Sequence, residues 1–129
     1  MPAASAVRVL VVDDQLTMRT LIRTHLKELS ITQIEEAVDG EDGLAKTLEF
    51  KPHLVLTDFN MPKLDGLGLL RAIRSHEATR QIAVFLLTGR ADKDLVQRAV
   101  QFGVNNYMVK PFSAATLKEK IEEVFGDLT

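Results

Sequence analysis

Five times along this chain an apolar run about one strand long gives way to a stretch with helical spacing. That alternation leaves few folds open. The strand candidates are residues 7–12, 33–37, 54–57, 82–87 and 106–109. The first, third and fourth are nearly continuous in Val, Leu, Ile and Phe, as expected of parallel strands covered on both faces. Between and after them, apolar residues recur at helical spacing. The sets are Met18, Leu21, Ile22, Leu26 and Leu29; Leu44 and Leu48; Leu69, Leu70 and Ile73; Leu95, Val96, Ala99 and Val100; Leu117, Ile121, Val124 and Phe125. Each makes a narrow stripe suited to packing on a sheet. Asp39, Asp65 and Ser113 stand where N-caps belong, and Gly103 and Gly126 close the fourth and fifth helices. The prediction is an α/β domain: a doubly wound five-stranded parallel sheet with five helices. Right-handed crossovers then bring every β→α loop to one edge, the carboxyl ends of the strands, where ligands bind in such folds.

With 129 residues, the chain suits one domain with one core, read here as residues 6–126 after a disordered tail at 1–5. Its net charge of -2 gives no general affinity for nucleic acid or anionic membrane. No Cys is present, which excludes disulfides, thiolate catalysis and zinc–thiolate sites. The start lacks the basic and apolar segments of a signal peptide, and no apolar run approaches the ~20 residues that span a bilayer. A cytoplasmic protein is expected.

The polar residues at the strand ends carry the chemistry. Asp13-Asp14 follows the first strand, and adjacent carboxylates there repel unless a cation or protons intervene. A hard divalent ion such as Mg²⁺ would relieve them; alternatively Asp14 caps the first helix. Asp58 ends the third strand. It adds a third acid that can act as a nucleophile and form an acyl phosphate, or it is a turn residue. Thr88-Gly89 ends the fourth strand, offering a hydroxyl to a phosphoryl oxygen or simply making a turn. Lys110, held extended before Pro111, can neutralise the acids or a phosphoryl group. Together these residues suit the movement of a phosphoryl group.

Val11-Val12-Asp13-Asp14, Thr57-Asp58-Phe59-Asn60-Met61-Pro62 with Asp65-Gly66, Thr88-Gly89, and Tyr107-Met108-Val109-Lys110-Pro111-Phe112 resemble the receiver domain of bacterial two-component response regulators. The likeness runs from Val7 to Phe125. Thr17-Met18-Arg19, Leu26-Lys27-Glu28-Leu29 and the stretch from Phe112 to Leu117 are most similar to stand-alone CheY-type chemotaxis regulators. The resemblance implies a flavodoxin-like sheet with strand order 2-1-3-4-5. It implies that Asp58 accepts a phosphoryl group from the phosphohistidine of a histidine kinase. It also implies Mg²⁺ held by Asp13, Asp14, Asp58 and the Asn60 carbonyl. Lys110 and Thr88 would contact the phosphoryl oxygens, and Tyr107 would switch with Thr88. The Lys110–Pro111 bond would be cis. Such a domain is no enzyme in the ordinary sense, since it catalyses only its own phosphorylation and dephosphorylation. As the sequence stops after the fifth helix, output is expected through protein contacts around the fourth helix, fifth strand and fifth helix. The expected partners are a flagellar-motor switch and a phosphatase, the protein itself being a monomer.

Gln15, Phe59 and Arg90 depart from the pattern of the chemotaxis branch, where an aromatic, Trp and an acid are common. Arg90 is expected to alter the lifetime of the acyl phosphate. Three other functions compete with the switch. A phosphate sink for a shared kinase would need no output. An aspartyl phosphohydrolase would want an acid where Asn60 stands. A flavin protein would want a hydroxyl-rich loop where Asp13-Asp14 stands. His25, His53 and His76 lack metal spacing, and His25 reads as a packed or edge residue.

Overall fold

The computed structural model describes residues 3–89 and 93–129; Met1, Pro2 and the predicted lifetime determinant Arg90 lie outside them. The ten elements run β1 (Arg8–Val12), α1 (Leu16–Glu28), β2 (Gln33–Ala37), α2 (Gly40–Phe50), β3 (Leu54–Asp58), α3 (Gly66–Ser75), β4 (Ala83–Thr88), α4 (Lys93–Gln101), β5 (Asn106–Val109) and α5 (Ala114–Phe125). A short 3-10 turn, Ala4–Ala6, precedes them. All neighbouring strands pair parallel, in the order β2-β1-β3-β4-β5. This is the expected flavodoxin-like sheet.

Side chains alternate across a strand, and the two cores follow from that parity. Val9, Val11, Leu54, Leu56, Phe85 and Leu87 point to one side and pack under α1 and α5 with Ile22, Leu26, Leu117 and Ile121. Leu10, Val12, Val55, Val84 and Leu86 point to the other and meet Leu69, Leu70, Ile73, Leu95 and Ala99 of α3 and α4. Full burial of one such side chain stabilises the fold by about 1.5–3 kcal/mol. Hence β3 and β4 are buried along their whole length.

The caps fall where the sequence puts them. Asp39, Asp65 and Ser113 accept the backbone N–H groups of Asp42, Gly68 and Thr116. Gly103 and Gly126 have φ of 87° and 82°. The tail needs correction. Ala4 is buried in the α1/α5 core, and the Ser5 carbonyl accepts a bond from Gln33 Nε2, so the chain is packed from Ala4 onward. Val7 belongs to this turn and not to β1, because its N–H donates to the Ala4 carbonyl. No helix among the described residues is long and apolar enough to cross a membrane.

Candidate functional site

Strand register assembles the site. Val12 pairs with Thr57, which sets Asp13 beside Asp58. Asp58 pairs with Leu87, one residue before Thr88. Thr88 pairs with Val109, one residue before Lys110, whose N–H donates to the Thr88 carbonyl at 2.7 Å. The order reverses between β1 and β3, since β1 leads outward to β2. Asp13 and Asp58 therefore flank the switch point where doubly wound sheets bind ligands.

One carboxylate oxygen from each of Asp13, Asp14 and Asp58 lies within 4.8 Å of the others. Asp13 is fully buried, Asp58 nearly so, and Asp14 is exposed. The Lys110 ammonium donates to Asp58 Oδ1 at 2.8 Å and stands 3.7 Å from Asp13 Oδ2. The second distance is too long for a hydrogen bond. Asp13 Oδ1 accepts the Gln15 N–H at 2.9 Å, while its Oδ2 is buried without a hydrogen-bond donor. Burial raises the pKa of Asp13, and the charges of Asp58 and Asp14 push the same way, against the Gln15 N–H and Lys110.

This geometry decides the alternative reading of Asp14. The N-cap of α1 is Gln15, which has no side-chain cap, and the carboxylate on its N–H belongs to Asp13. Neither acid is spent on closing the helix in the usual way. An ionised oxygen buried without a donor is costly, and a cation among three carboxylates would remove that cost. An all-oxygen donor set suits a hard divalent ion and not a thiophilic one. The residues present therefore fit a Mg²⁺-class metal.

Thr88 is buried at the end of β4 instead of following it. Asn60 is exposed on the loop two residues beyond Asp58. Tyr107 stands apart from the cluster, 37% exposed on β5 next to Leu86. The Lys110–Pro111 bond is cis. His25 packs against Phe112 with ring centroids 5.9 Å apart.

The residues that match this site and its scaffold, 9–122, fit the family of the response regulator receiver domain. The chain belongs to that family. Similar curated proteins agree with the assignment of this receiver domain. A Rhizobium etli protein described as "probable chemotaxis protein CheY" is 47% identical over 99% of both chains. The chemotaxis protein CheY of Pseudomonas aeruginosa is 42% identical over 92% of this chain and 95% of its own. Among solved structures, Vibrio cholerae CheY4 superposes with a TM-score of 0.85 at 27% identity, covering 96% of this receiver domain and 99% of CheY4. The receiver domain of a Pseudomonas aeruginosa sensor histidine kinase superposes with a TM-score of 0.84, also at 27% identity, covering 94% of this chain and 98% of that one. That structure has a magnesium ion coordinated in its active-site cleft.

Two features of the receiver domain escaped the sequence reading. The first is the role of Gly66. A Cβ there would lie 2.3 Å from the Asp58 carbonyl oxygen and 2.9 Å from Phe59 Cα, so the start of α3 presses directly on the backbone of Asp58. At Gly40 a Cβ would lie 1.9 Å from the Leu64 carbonyl, so the same loop is also seated on the start of α2. The second is a cluster of Arg19, Arg23 and Glu36 beside Asp13. Its signal was present in part. Glu36 shares the inward parity of Ile34 on β2, an unusual place for an acid, and Arg19 and Arg23 are spaced i, i+4 on α1.

Proposed function

We propose that this receiver domain is a cytoplasmic switch that takes a phosphoryl group from the phosphohistidine of a sensor kinase onto Asp58. The observation that carries the reading is the Asp58 carboxylate, buried, held at 2.8 Å by Lys110 and set beside an Asp13 oxygen that lacks a donor. In the reaction an Asp58 oxygen forms a bond to phosphorus as the phosphorus–nitrogen bond breaks, and the electron pair leaves with the imidazole. Such transfers depend on positioning and charge neutralisation more than on covalent help.

Lys110 orients the nucleophile and offsets charge on the phosphoryl oxygens, and the Thr88 hydroxyl donates to one of them. Asp13, Asp14, Asp58 and the Asn60 carbonyl would hold Mg²⁺, which supplies positive charge at the transferring group. Hydrolysis of the acyl phosphate by water resets the switch. Phosphorylation shifts Thr88, and Tyr107 turns inward with it, biasing the surface formed by α4, β5 and α5. The likeness to chemotaxis proteins supports a place in chemotaxis, with the flagellar-motor switch as the target and a phosphatase shortening the signal.

Incubation with Mg²⁺ and a small phosphodonor, followed by intact-mass measurement, tests this. The expected result is one added phosphoryl group, absent in Asp58→Ala and absent when Mg²⁺ is chelated. A chain that stays unmodified with every donor tried would refute the assignment.

A further inference from the structure

We propose that Arg19 is a positioning residue for the metal site, acting through the backbone of Asp13. The inference rests on the reading above that Asp13 and Asp14 hold Mg²⁺. Arg19 lies on α1 with its side chain only 11% exposed. Its Nη1 donates to the Asp13 carbonyl at 2.7 Å, and its Nε donates to Glu36 Oε1 at 2.9 Å. Glu36 is itself fixed. Its Oε2 accepts from Arg23 Nε at 2.8 Å, and its carbonyl accepts from the Lys46 ammonium.

Asp13 is thereby held at three points. Its N–H donates to the Ala37 carbonyl at 3.1 Å, its Oδ1 accepts the Gln15 N–H, and its carbonyl accepts Arg19. The third point fixes the plane of the Asp13–Asp14 peptide. That plane sets where the two carboxylates stand relative to each other and to Asp58. Without the guanidinium, the carbonyl can turn toward water and carry Asp14 with it. Groups that orient metal ligands from outside commonly change metal affinity by tenfold or more when removed.

Two bland accounts compete with this one. Arg19 could simply staple α1 to β2 through Glu36. Arg23 makes that staple too and is not bonded to Asp13, so it serves as the control already present in the fold. Alternatively, the positive charge of Arg19 could weaken cation binding by repulsion. Glu36 offsets only part of that charge, because its other oxygen pairs with Arg23. Repulsion would make Arg19→Met bind Mg²⁺ more tightly and loss of positioning would make it bind more weakly, so the sign of the change separates the two.

The test is calorimetric titration of Mg²⁺ into the full chain, with thermal melts to match stability. Arg19→Met keeps the apolar stem and removes every donor; it should weaken Mg²⁺ binding about tenfold. Arg23→Met should lose comparable stability and keep the wild-type Mg²⁺ affinity. Arg19→Lys, which retains one charged donor for the carbonyl, should recover most of the loss. Should Arg19→Met not fold, Glu36→Gln provides the second arm. It loosens Arg19 without removing it and should also weaken Mg²⁺ binding. Wild-type or tighter binding in Arg19→Met, equal weakening in Arg23→Met, or wild-type binding in Glu36→Gln where that arm is needed would overturn the inference. A wild-type chain that takes up no Mg²⁺ would instead remove the metal reading beneath it.

Discussion

The carboxyl edge at β1 and β3 and the face around β5 are built in opposite ways. At the edge, Asp13, Asp58 and Thr88 are buried, and strand register and backbone bonds fix their places. At the face, Val100, Tyr107 and Val109 are exposed apolar side chains, and Met108 alone in β5 is buried. The edge holds charges that the fold would be more stable without. The face holds apolar surface that water would prefer covered. Each is a local cost, and under the proposed function they differ in what would relieve them: a cation and a phosphoryl group at the edge, a protein at the face. On that proposal one region is preorganised for chemistry, and the other is left open for recognition.

The largest effect that separates them comes from adding a single methyl group. Gly66→Ala drives a Cβ into the Asp58 carbonyl, which already accepts the Thr57 hydroxyl at 3.0 Å. A loss of about 1–3 kcal/mol in denaturant unfolding is expected, as for overpacked interiors, with slower acceptance of a phosphoryl group. Among the described residues a Cβ at Gly89 meets nothing within 4 Å, so Gly89→Ala should leave stability nearly unchanged. Equal losses at the two glycines would mean that the backbone around Asp58 is packed no more tightly than the end of β4.

Next in size is the cost of the acids themselves. Asp13→Asn removes a buried charge whose Oδ2 lacks a donor and whose acidic neighbours repel it. Without metal, this variant should be more stable by about 1 kcal/mol, the trade expected where a site is kept for function. Its melting temperature should no longer rise when Mg²⁺ is added. A destabilised Asp13→Asn in chelator would mean that the acid is structural.

The smallest effect lies at the opposite end of the sheet. His53 Nδ1 accepts the Arg8 N–H at 3.0 Å, a bond that protonation of Nδ1 would break. Burial, and then the Arg8 charge, lower the His53 pKa below its ordinary 6.5. The unfolded chain thus takes up the proton first. The stabilisation is complete above pH 6.5 and declines as pH falls through that value. Because the ring is largely exposed, the change should be only a few tenths of a kcal/mol. His53→Gln should flatten the pH profile of unfolding between pH 7 and 5 without altering Mg²⁺ binding.

Much of this could be read from the sequence, for reasons that differ by region. Strands covered on both faces must be continuously apolar, so β1, β3 and β4 announced themselves, and the polar residues ending them announced the edge. Placing Thr88 inside β4 needed the pairing with Val109, which no run of hydropathy encodes. Gln15 and not Asp14 is the N-cap of α1, and its N–H donates to Asp13 Oδ1, an arrangement that adjacent acids in a sequence do not announce. The Arg19–Glu36 contact joins residues 17 apart across two elements, beyond the reach of spacing rules. Arg74 is a similar case. Its guanidinium donates to the carbonyls of Arg80, Ile82 and Gly103 and to Asn105 Oδ1, tying down the segment that leads into β5. The buried end of Ala4 was hidden by a composition that reads as a tail.

Under the proposed function, chemistry at the buried edge changes the exposed face. Tyr107 is the only tyrosine and there is no tryptophan, so intrinsic fluorescence reports this one residue. Mg²⁺ and a small phosphodonor should change that emission in step with the added mass, and the change should reverse as the acyl phosphate hydrolyses. Asp58→Asn in the same mixture should show neither. Emission that stays constant while a phosphoryl group is present, or that changes equally in Asp58→Asn, would contradict the account.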